Sequence, residues 1–181
     1  MPGLIRLYYP IENADCSGAG EASDFNGSVT YGESDAVRTY NKLLTFSDFE
    51  QIFNTNVFGL ALLSKSIISV MKQQKCGTIV NIGSSASVKG FARGSVYAAS
   101  KFAVRALTQC WQAELRPFNI RVSQLNPSEV TTAFYNEERK ERVTVQNKLS
   151  PNEIAHSILS ILEMEDKGFI TELNVWATNP F

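Results

Sequence analysis

The chain has 181 residues, of which 44% are hydrophobic, and this is enough for one domain with a substantial core. Its formal net charge is −1, and scattered Lys and Arg residues give no electrostatic footprint for nucleic acid or an anionic membrane. The chain opens without a signal-peptide hydrophobic run, Lys65 interrupts its most apolar stretch, and the widely spaced Cys16, Cys76 and Cys110 favour reduced thiols in a cytoplasm.

Residues 1–44 show no sustained hydrophobic period, and residues 11–35 are rich in small and polar residues. This composition favours a poorly ordered or loosely draped segment. The glycine cluster Gly18-Ala-Gly20 follows no apolar strand and opens no periodic helix, so it favours a polar loop over a phosphate-binding loop. We therefore predict an atypical N-terminal segment over residues 1–44 and a folded unit over residues 45–181.

A long helix is predicted over residues 47–74, because Ser47-Asp-Phe-Glu50 has the pattern of a capping box. Two Asn and a Gly within residues 54–59 are poor helix formers, which predicts a local kink or an internal polar contact. A buried strand is predicted next, over Thr78–Ile82, and it ends in a small-residue turn that carries Ser84. Hydroxyls at the carboxyl end of such a strand face the crevice where open α/β sheets bind ligands.

A second long helix is predicted over residues 96–115, and Pro117 ends it. Tyr97 and Lys101 lie four residues apart on this helix, so both side chains leave the same face. A phenol has an unperturbed pKa of about 10, and an ammonium group beside it favours the phenolate. Such a pair can exchange a proton with a substrate hydroxyl or carbonyl, although the spacing alone equally fits a solvated surface pair.

The remaining elements are a strand over Ile120–Leu125, a charged segment from Tyr135 to Lys148, a helix and a final strand. The charged segment favours a solvated helix or a mobile loop. Ser150-Pro-Asn-Glu153 has a second capping-box pattern, and the helix is predicted to reach Met164 before a strand over residues 169–176. This order predicts right-handed crossovers and a parallel sheet of about three strands. No metal site is expected, since the chain has a single histidine.

These motifs resemble the short-chain dehydrogenase/reductase family, particularly its 3-oxoacyl-[acyl-carrier-protein] reductase branch. The resemblance runs from about Leu44 to the C-terminus, and it implies an α/β fold, the C-terminal half of a doubly wound (Rossmann-like) parallel sheet with flanking helices. Four segments in a specific order carry it: Asn56-Val-Phe-Gly59, Ile79-Val-Asn-Ile82 leading to Ser84, Tyr97-x-x-x-Lys101 and Asn126-Pro-Ser-Glu-Val130-Thr-Thr132.

The resemblance implies a role for each matching residue. Tyr97 would be the general acid/base, and Lys101 would favour its ionised form and hold the nicotinamide ribose. Ser84 would orient the carbonyl, and Asn56 would hold a water that completes a proton relay with Lys101. The implied cofactor-binding positions are Tyr97, Lys101, Pro127, Val130 and Thr132.

The implied activity is that of an NAD(P)-dependent oxidoreductase, which reduces a carbonyl such as a 3-oxoacyl group, or oxidises an alcohol, by hydride transfer. The cofactor would be NAD or NADP, and the substrate a small-molecule carbonyl or alcohol. The resemblance also implies a homo-oligomer, a dimer or a tetramer. Neither nucleic acid nor a membrane is an expected partner.

The chain departs from the family pattern at two places. Ser128 follows Pro127 where the family usually has Gly, which would strain a backbone that needs an unusual angle. The phosphate loop and the Asn-Asn-Ala-Gly segment of the family are not found in residues 1–44, so we expect an N-terminally truncated member with weak cofactor binding. The alternative is a catalytically inactive remnant or an interaction module that associates with intact relatives through its long helices.

Such a truncation would leave the strand Thr78–Ile82 open at the edge of the sheet, where unpaired backbone groups invite pairing with another chain. Residues 1–44 could supply a replacement neighbour. Leu4–Tyr9 and Ser28–Tyr31 are the two candidate strands.

Overall fold

The structure is a computed structural model that describes residues 45–132 and 145–179, together with the backbone of residues 27–30. The glycine cluster, the candidate strand Leu4–Tyr9 and most of the charged segment after Tyr135 lie outside the described residues.

One parallel sheet organises the fold, and its strands follow one another in chain order. They are β1 (Gly27–Thr30), β2 (Gly77–Ile82), β3 (Ile120–Pro127) and β4 (Glu172–Val175). The sequence predicts about three strands, and the fourth is β1. The last strand is shorter than the predicted range of residues 169–176, because only four of its residues pair with β3.

β1 is the replacement neighbour predicted at Ser28–Tyr31, displaced by one residue. It pairs with β2 in parallel, from Gly27 opposite Thr78 to Thr30 opposite Asn81. β2 also pairs with β3 along its whole length, so it is an interior strand and its backbone groups are bonded on both sides. The open edge expected at this strand therefore does not occur.

The first helical stretch is continuous from Phe46 to Gln74, as predicted, but it is not uniform. Its parts are α1 (Phe46–Phe53), a π-helical turn (Asn54–Gly59) and α2 (Leu60–Gln74). The irregular turn falls on the three poor helix formers, which confirms the predicted local distortion. This arrangement turns Asn56 inward, where it is buried.

The start of this helix differs from the prediction, because Thr45 rather than Ser47 is the N-cap. Thr45 has an extended backbone and accepts a hydrogen bond from the N–H of Asp48, whose carboxylate accepts from the N–H of Thr45 at 2.8 Å. Two overlapping capping patterns were available in the sequence. The reciprocal bond between Thr45 and Asp48 satisfies two unpaired donors, and this sets the first residue of the helix.

By length and composition alone, Phe46–Gln74 is the one helix in the described part of the chain that could cross a membrane. This is weak evidence, because the core helix of a soluble protein passes the same test. The end of the helix packs on the sheet, where Met71 is buried against Ile79. The expectation that no membrane partner exists stays a prediction.

The other two helices agree with the sequence. α3 (Ser95–Leu115) runs into a 3₁₀ turn that contains Pro117, and α4 (Pro151–Leu162) begins behind the predicted capping box of Ser150 and Glu153. α4 ends two residues before the predicted Met164. The ends of these helices are set by a capping box and by a proline, and both can be recognised in the sequence.

Alternating residues of the sheet pack against helices on opposite faces. Ile79 and Val122 face α2 and α3, whereas Val80 and Leu125 face α4. The first cluster comprises Met71, Ile79, Leu115, Ile120 and Val122, and the second comprises Val80, Ile82, Leu125 and Ile161. Helices on both faces of a parallel sheet form the doubly wound α/β arrangement, which confirms the predicted fold class.

The cysteines differ from the expectation of three reduced thiols. Cys76 is disulfide-bonded, whereas Cys110 is a free and exposed thiol. The expectation is therefore wrong at Cys76, because pairing depends on which cysteines the fold brings together and spacing does not show this. The cytoplasmic location stays a prediction.

Candidate active site

Tyr97 and Lys101 lie one turn apart in the first half of α3, as their spacing requires. The ammonium of Lys101 is 5.8 Å from the centre of the Tyr97 ring. Lys101 is only 4% exposed, and its Nζ donates a hydrogen bond to the carbonyl oxygen of Ile82 at 3.2 Å. The amine is thus fixed between the end of β2 and the tyrosine, and a solvated surface pair is ruled out.

Burial lowers the pKa of Lys101 from 10.5 to about 8. The cause is desolvation, because a low-dielectric interior disfavours the charged form of an amine. At neutral pH the side chain is still mainly protonated, since the pH lies below this pKa. The site therefore holds a positive charge close to a phenol, and such a charge stabilises negative charge on the phenol oxygen.

Asn56 connects to the tyrosine through Ser100, a residue to which the sequence assigned no role. Asn56 Nδ2 donates to Ser100 Oγ at 3.0 Å, and Ser100 Oγ donates to the carbonyl oxygen of Tyr97 at 2.7 Å. Ser100 is completely buried. A serine in a helix can donate to the carbonyl of the residue three positions earlier, and this spacing is the sequence feature that could have indicated a role for Ser100. The π-helical turn and the turn carrying Tyr97 are thereby held together.

Asn56 also presents an unsatisfied acceptor. Its Oδ1 is buried and has no hydrogen-bond partner among the described residues. Buried polar atoms are nearly always paired, so this oxygen calls for a donor that the described part of the chain does not supply. A water molecule is a donor of the right size.

Ser84 follows β2 and caps a short 3₁₀ turn, Ser85–Ser87, which packs against α3. Its Oγ accepts a hydrogen bond from the N–H of Ala86 at 3.1 Å, and this leaves the hydroxyl proton for another acceptor. The side chain is half-buried. A hydroxyl at the end of a strand, half open to solvent, has the properties of a donor to a bound oxygen atom.

Phe91 lies in the loop between Ser84 and Tyr97 and packs on the tyrosine. The two rings meet edge to face, with their centres 6.5 Å apart and their planes at 65°. Gly94 permits this placement, because a Cβ at that position would overlap the ring of Phe91. The phenol ring of Tyr97 is therefore contacted by an aromatic ring as well as by the ammonium of Lys101.

The predicted cofactor-binding positions after β3 lie further along the chain. Pro127 ends β3 at the same sheet edge as Ile82, because Ile82 is paired with Leu125. Val130 forms a parallel bridge with Leu149, and the N–H of Thr132 donates to the carbonyl of Val130 at 3.0 Å. β3 therefore ends at the expected edge of the sheet, and the segment that contains Val130 is bonded there to Leu149.

Ser128 is accommodated without strain. Its N–H donates to the carbonyl oxygen of Val175 at 2.8 Å, which continues the pairing of β3 with β4. The described non-glycine residues with positive φ are Lys75, Arg93 and Asn119, so Ser128 does not need the conformation that favours glycine. The departure from the family pattern carries no backbone penalty at this position.

A parallel sheet with helices on both faces, a serine after β2 and a tyrosine–lysine pair on α3 define a Rossmann-like α/β protein. A family model described as short chain dehydrogenase matches residues 36–143, more than half of the chain. The chain therefore belongs to the short-chain dehydrogenase family.

Curated relatives agree with this assignment. The chain is 31% identical over 127 residues to the 3-ketodihydrosphingosine reductase of Bacteroides thetaiotaomicron, an alignment that covers 70% of this chain and 47% of the relative. It is 28% identical over 130 residues to the sepiapterin reductase of Chlorobaculum tepidum, covering 72% and 52% respectively. The chain spans about half the length of the curated relatives it matches.

A solved structure with a similar fold is the alcohol dehydrogenase from Thermococcus sibiricus, complexed with 5-hydroxy-NADP. The TM-score is 0.73 at 24% identity, and the match covers 87% of this chain and 65% of the other. At this level of identity the similarity establishes the fold.

Proposed function

We propose that this chain is an NAD(P)-dependent oxidoreductase that reduces a carbonyl, or oxidises an alcohol, with Tyr97 as the general acid/base. The observation that carries the proposal is the buried ammonium of Lys101, 5.8 Å from the Tyr97 ring. Burying a charge is unfavourable, and such groups are concentrated at functional sites. The NADP analogue bound to the Thermococcus sibiricus enzyme supports the class of cofactor.

In the reductive direction, Tyr97 donates its phenolic proton to the oxygen on which negative charge develops. The positive charge of Lys101 stabilises the resulting phenolate. Ser84 donates a hydrogen bond to the same oxygen through the hydroxyl proton that its contact with Ala86 leaves available. A bound nicotinamide cofactor supplies the hydride, or accepts it when an alcohol is oxidised.

The residues present fit such a cofactor. Among the described residues, the hydrogen bond of Lys101 to Ile82 uses one of its three N–H donors, which leaves two for ribose hydroxyls. The unsatisfied Oδ1 of Asn56 fits the water that the family resemblance places in a proton relay with Lys101. Pro127, Val130 and Thr132 would line the nicotinamide side of the site.

A 3-oxoacyl compound is the substrate class that we propose. The name of the Bacteroides thetaiotaomicron relative specifies a 3-keto substrate, which supports a carbonyl at this position of a chain. Phe91 supports it independently, because an aromatic ring that is 53% exposed beside Tyr97 offers apolar surface to an acyl chain. Burying a chain against such a ring gains about 0.8 kcal/mol per methylene.

Cofactor binding can be tested by titrating NADH or NADPH into the purified chain and following nicotinamide fluorescence. Binding that is lost in Lys101→Met, and retained in Lys65→Ala, would support the proposal. Lys65 is the matched control, since it is an exposed lysine on α2. Absence of binding up to millimolar cofactor, or equal binding by both variants, would contradict it.

Turnover tests the role of the phenol. Tyr97→Phe keeps the ring that packs on Phe91 and removes only the hydroxyl. Reduction of a 3-oxoacyl thioester should fall by about 10²- to 10⁴-fold, the usual contribution of a general acid, while cofactor binding is unchanged. A variant as active as the wild type would show that another group supplies the proton.

The second candidate function is association with a second copy or a related chain through the first helical stretch. Phe46, Phe58 and Leu62 are 81%, 54% and 67% exposed, which is unusual for large apolar side chains on one helical stretch. Sedimentation of the wild type as an oligomer that Leu62→Glu dissociates would support this candidate. Leu159→Glu on α4, where Leu159 is 53% exposed, is the matched control and should leave the assembly intact.

A further inference from the structure

Asn126 lies at the centre of a buried polar network that joins the loop of Ser84 to β4. Its Oδ1 accepts from the N–H of Ser84 at 3.3 Å and from Gln124 Nε2 at 2.7 Å. Its Nδ2 donates to Glu172 Oε1 at 2.8 Å and to Asn174 Oδ1 at 3.1 Å. Asn126 is completely buried, so these bonds replace all of its contacts with water.

The two ends of this amide cannot be exchanged. A backbone N–H can only donate, so the side of Asn126 that faces Ser84 must carry the oxygen. The carboxylate of Glu172 forms an ion pair with Arg105 and accepts hydrogen bonds, so the side of Asn126 that faces Glu172 must carry the nitrogen. Gly83 adds a steric requirement, because a Cβ at that position would overlap the Asn126 oxygen. The hydrogen bonds therefore specify an amide at residue 126, and the close contact specifies a glycine at residue 83.

The network continues to the helix that carries the tyrosine and the lysine. Glu172 Oε2 accepts from Arg105 at 3.0 Å and 2.9 Å, through Nε and a terminal nitrogen. Arg105 lies four residues after Lys101 on α3. A continuous path of hydrogen bonds thus runs from the backbone of Ser84 through Asn126 and Glu172 to α3.

We propose that Asn126 is a positioning residue, which holds the loop of Ser84 in register with the turn that carries Tyr97 and Lys101. It touches neither substrate nor cofactor and acts through the backbone N–H of Ser84. This inference rests on the proposed function, since a fixed distance between Ser84 and Tyr97 matters for a shared substrate oxygen. Positioning errors near 1 Å can cost about 10²-fold in rate.

Asn126→Leu tests the proposal by removing both polar groups while keeping a similar volume. We expect kcat to fall by about 10- to 100-fold with little change in KM, because binding surfaces are intact and alignment is lost. The amide proton resonance of Ser84 should shift upfield, because the proton loses one of its acceptors. This second measurement does not depend on activity.

A charge exchange tests the polarity of the network. Asn126→Asp keeps an acceptor for Ser84 but turns a second carboxylate towards Glu172, and like charges in contact are unfavourable. This variant should lose activity. Adding Glu172→Gln in the same chain supplies an amide donor to the new carboxylate and an acceptor to Arg105, so kcat and the Ser84 resonance should return most of the way to wild type.

Gln112→Leu is the matched control, because Gln112 also ties α3 to the sheet but does not contact Asn126. Its Nε2 donates to the carbonyl oxygens of Val122 and Thr171. This variant should lose stability without a change in kcat or in the Ser84 resonance. Equal loss of kcat in Gln112→Leu and Asn126→Leu would overturn the proposal, as would an Asn126→Leu chain with wild-type kcat and resonance. If no form of the chain turns over, the proposed function fails, and the Ser84 resonance alone decides whether Asn126 positions the loop.

Discussion

Replacing Lys101 by methionine removes a charge that is buried in the fold, although a charged amine is more stable in water than in the protein interior. The side chain is 4% exposed, and Ile82 supplies a hydrogen bond to it. Methionine keeps a similar unbranched stem and carries no charge, so the variant isolates the free energy of the ammonium from that of the packing.

The magnitude follows from the pKa of Lys101, which is 10.5 for the free side chain and about 8 in the folded protein. This difference corresponds to about 3 kcal/mol of penalty for the charged form. The penalty is fully present below pH 8 and disappears as the pH rises to 10.5, because across that window the unfolded chain binds more protons than the folded one. The stability of the wild type should therefore gain this contribution between pH 8 and 10.5.

Methionine does not ionise, so the stability of the variant does not include this pH-dependent penalty. The variant does leave the Ile82 carbonyl without its hydrogen-bond donor, which costs about 1–3 kcal/mol at every pH. At pH 7 the two effects nearly cancel, and Lys101→Met should be about as stable as the wild type or slightly more so. Urea denaturation from pH 7 to 10.5 should show the wild type gaining about 3 kcal/mol relative to the variant. A difference that stays constant within about 0.5 kcal/mol over this range would refute a desolvated ammonium at residue 101.

Two further substitutions test the packing and the capping of the fold, each by its effect on the free energy of unfolding. Gly83→Ala should destabilise the protein by about 1–3 kcal/mol, since the added Cβ would overlap the buried side chain of Asn126, whereas Gly90→Ala meets no atom within 4 Å and should be neutral. Ser150→Ala should cost about 1 kcal/mol through loss of the N-cap of α4, whereas Ser160→Ala in the exposed interior of that helix should cost nothing. An equal loss in either matched pair would contradict the assigned contacts.

Elements fixed by local chemistry were the ones predicted most accurately from the sequence. α3 begins within one residue of its predicted start, and α4 begins at the predicted capping box. The start of α1 was wrong because Thr45 and Ser47 offer competing caps, and only the folded geometry of Thr45 and Asp48 selects between them. The sequence indicated β1 only as one of two candidate strands, because its pairing with β2 is a long-range contact that no local sequence pattern specifies.

The same distinction holds within the site. The helix period alone places Tyr97 beside Lys101, so this pair could be predicted without a structure. The burial of the amine could not, since it depends on β2 ending at Ile82 opposite the helix. The polar network was missed because Asn126 and Glu172 are 46 residues apart, and nothing in the sequence indicates that a short asparagine and a distant glutamate will share a hydrogen bond.

The buried polar groups around Tyr97 are difficult to explain by stability alone. Three such groups are the Lys101 ammonium, which donates to the Ile82 carbonyl, the Asn56 side chain, whose oxygen has no partner among the described residues, and the fully buried amide of Asn126. Apolar residues of similar volume would fill the same space at a similar or lower free energy. Such polar groups are useful because they hold other side chains in a fixed orientation. Here each of them belongs to the group formed by Ser84, Tyr97 and Lys101 or is connected to it by hydrogen bonds. The arrangement therefore favours an active site over an interaction surface, whose requirements the exposed side chains of α1 and α2 could meet without any of these polar groups.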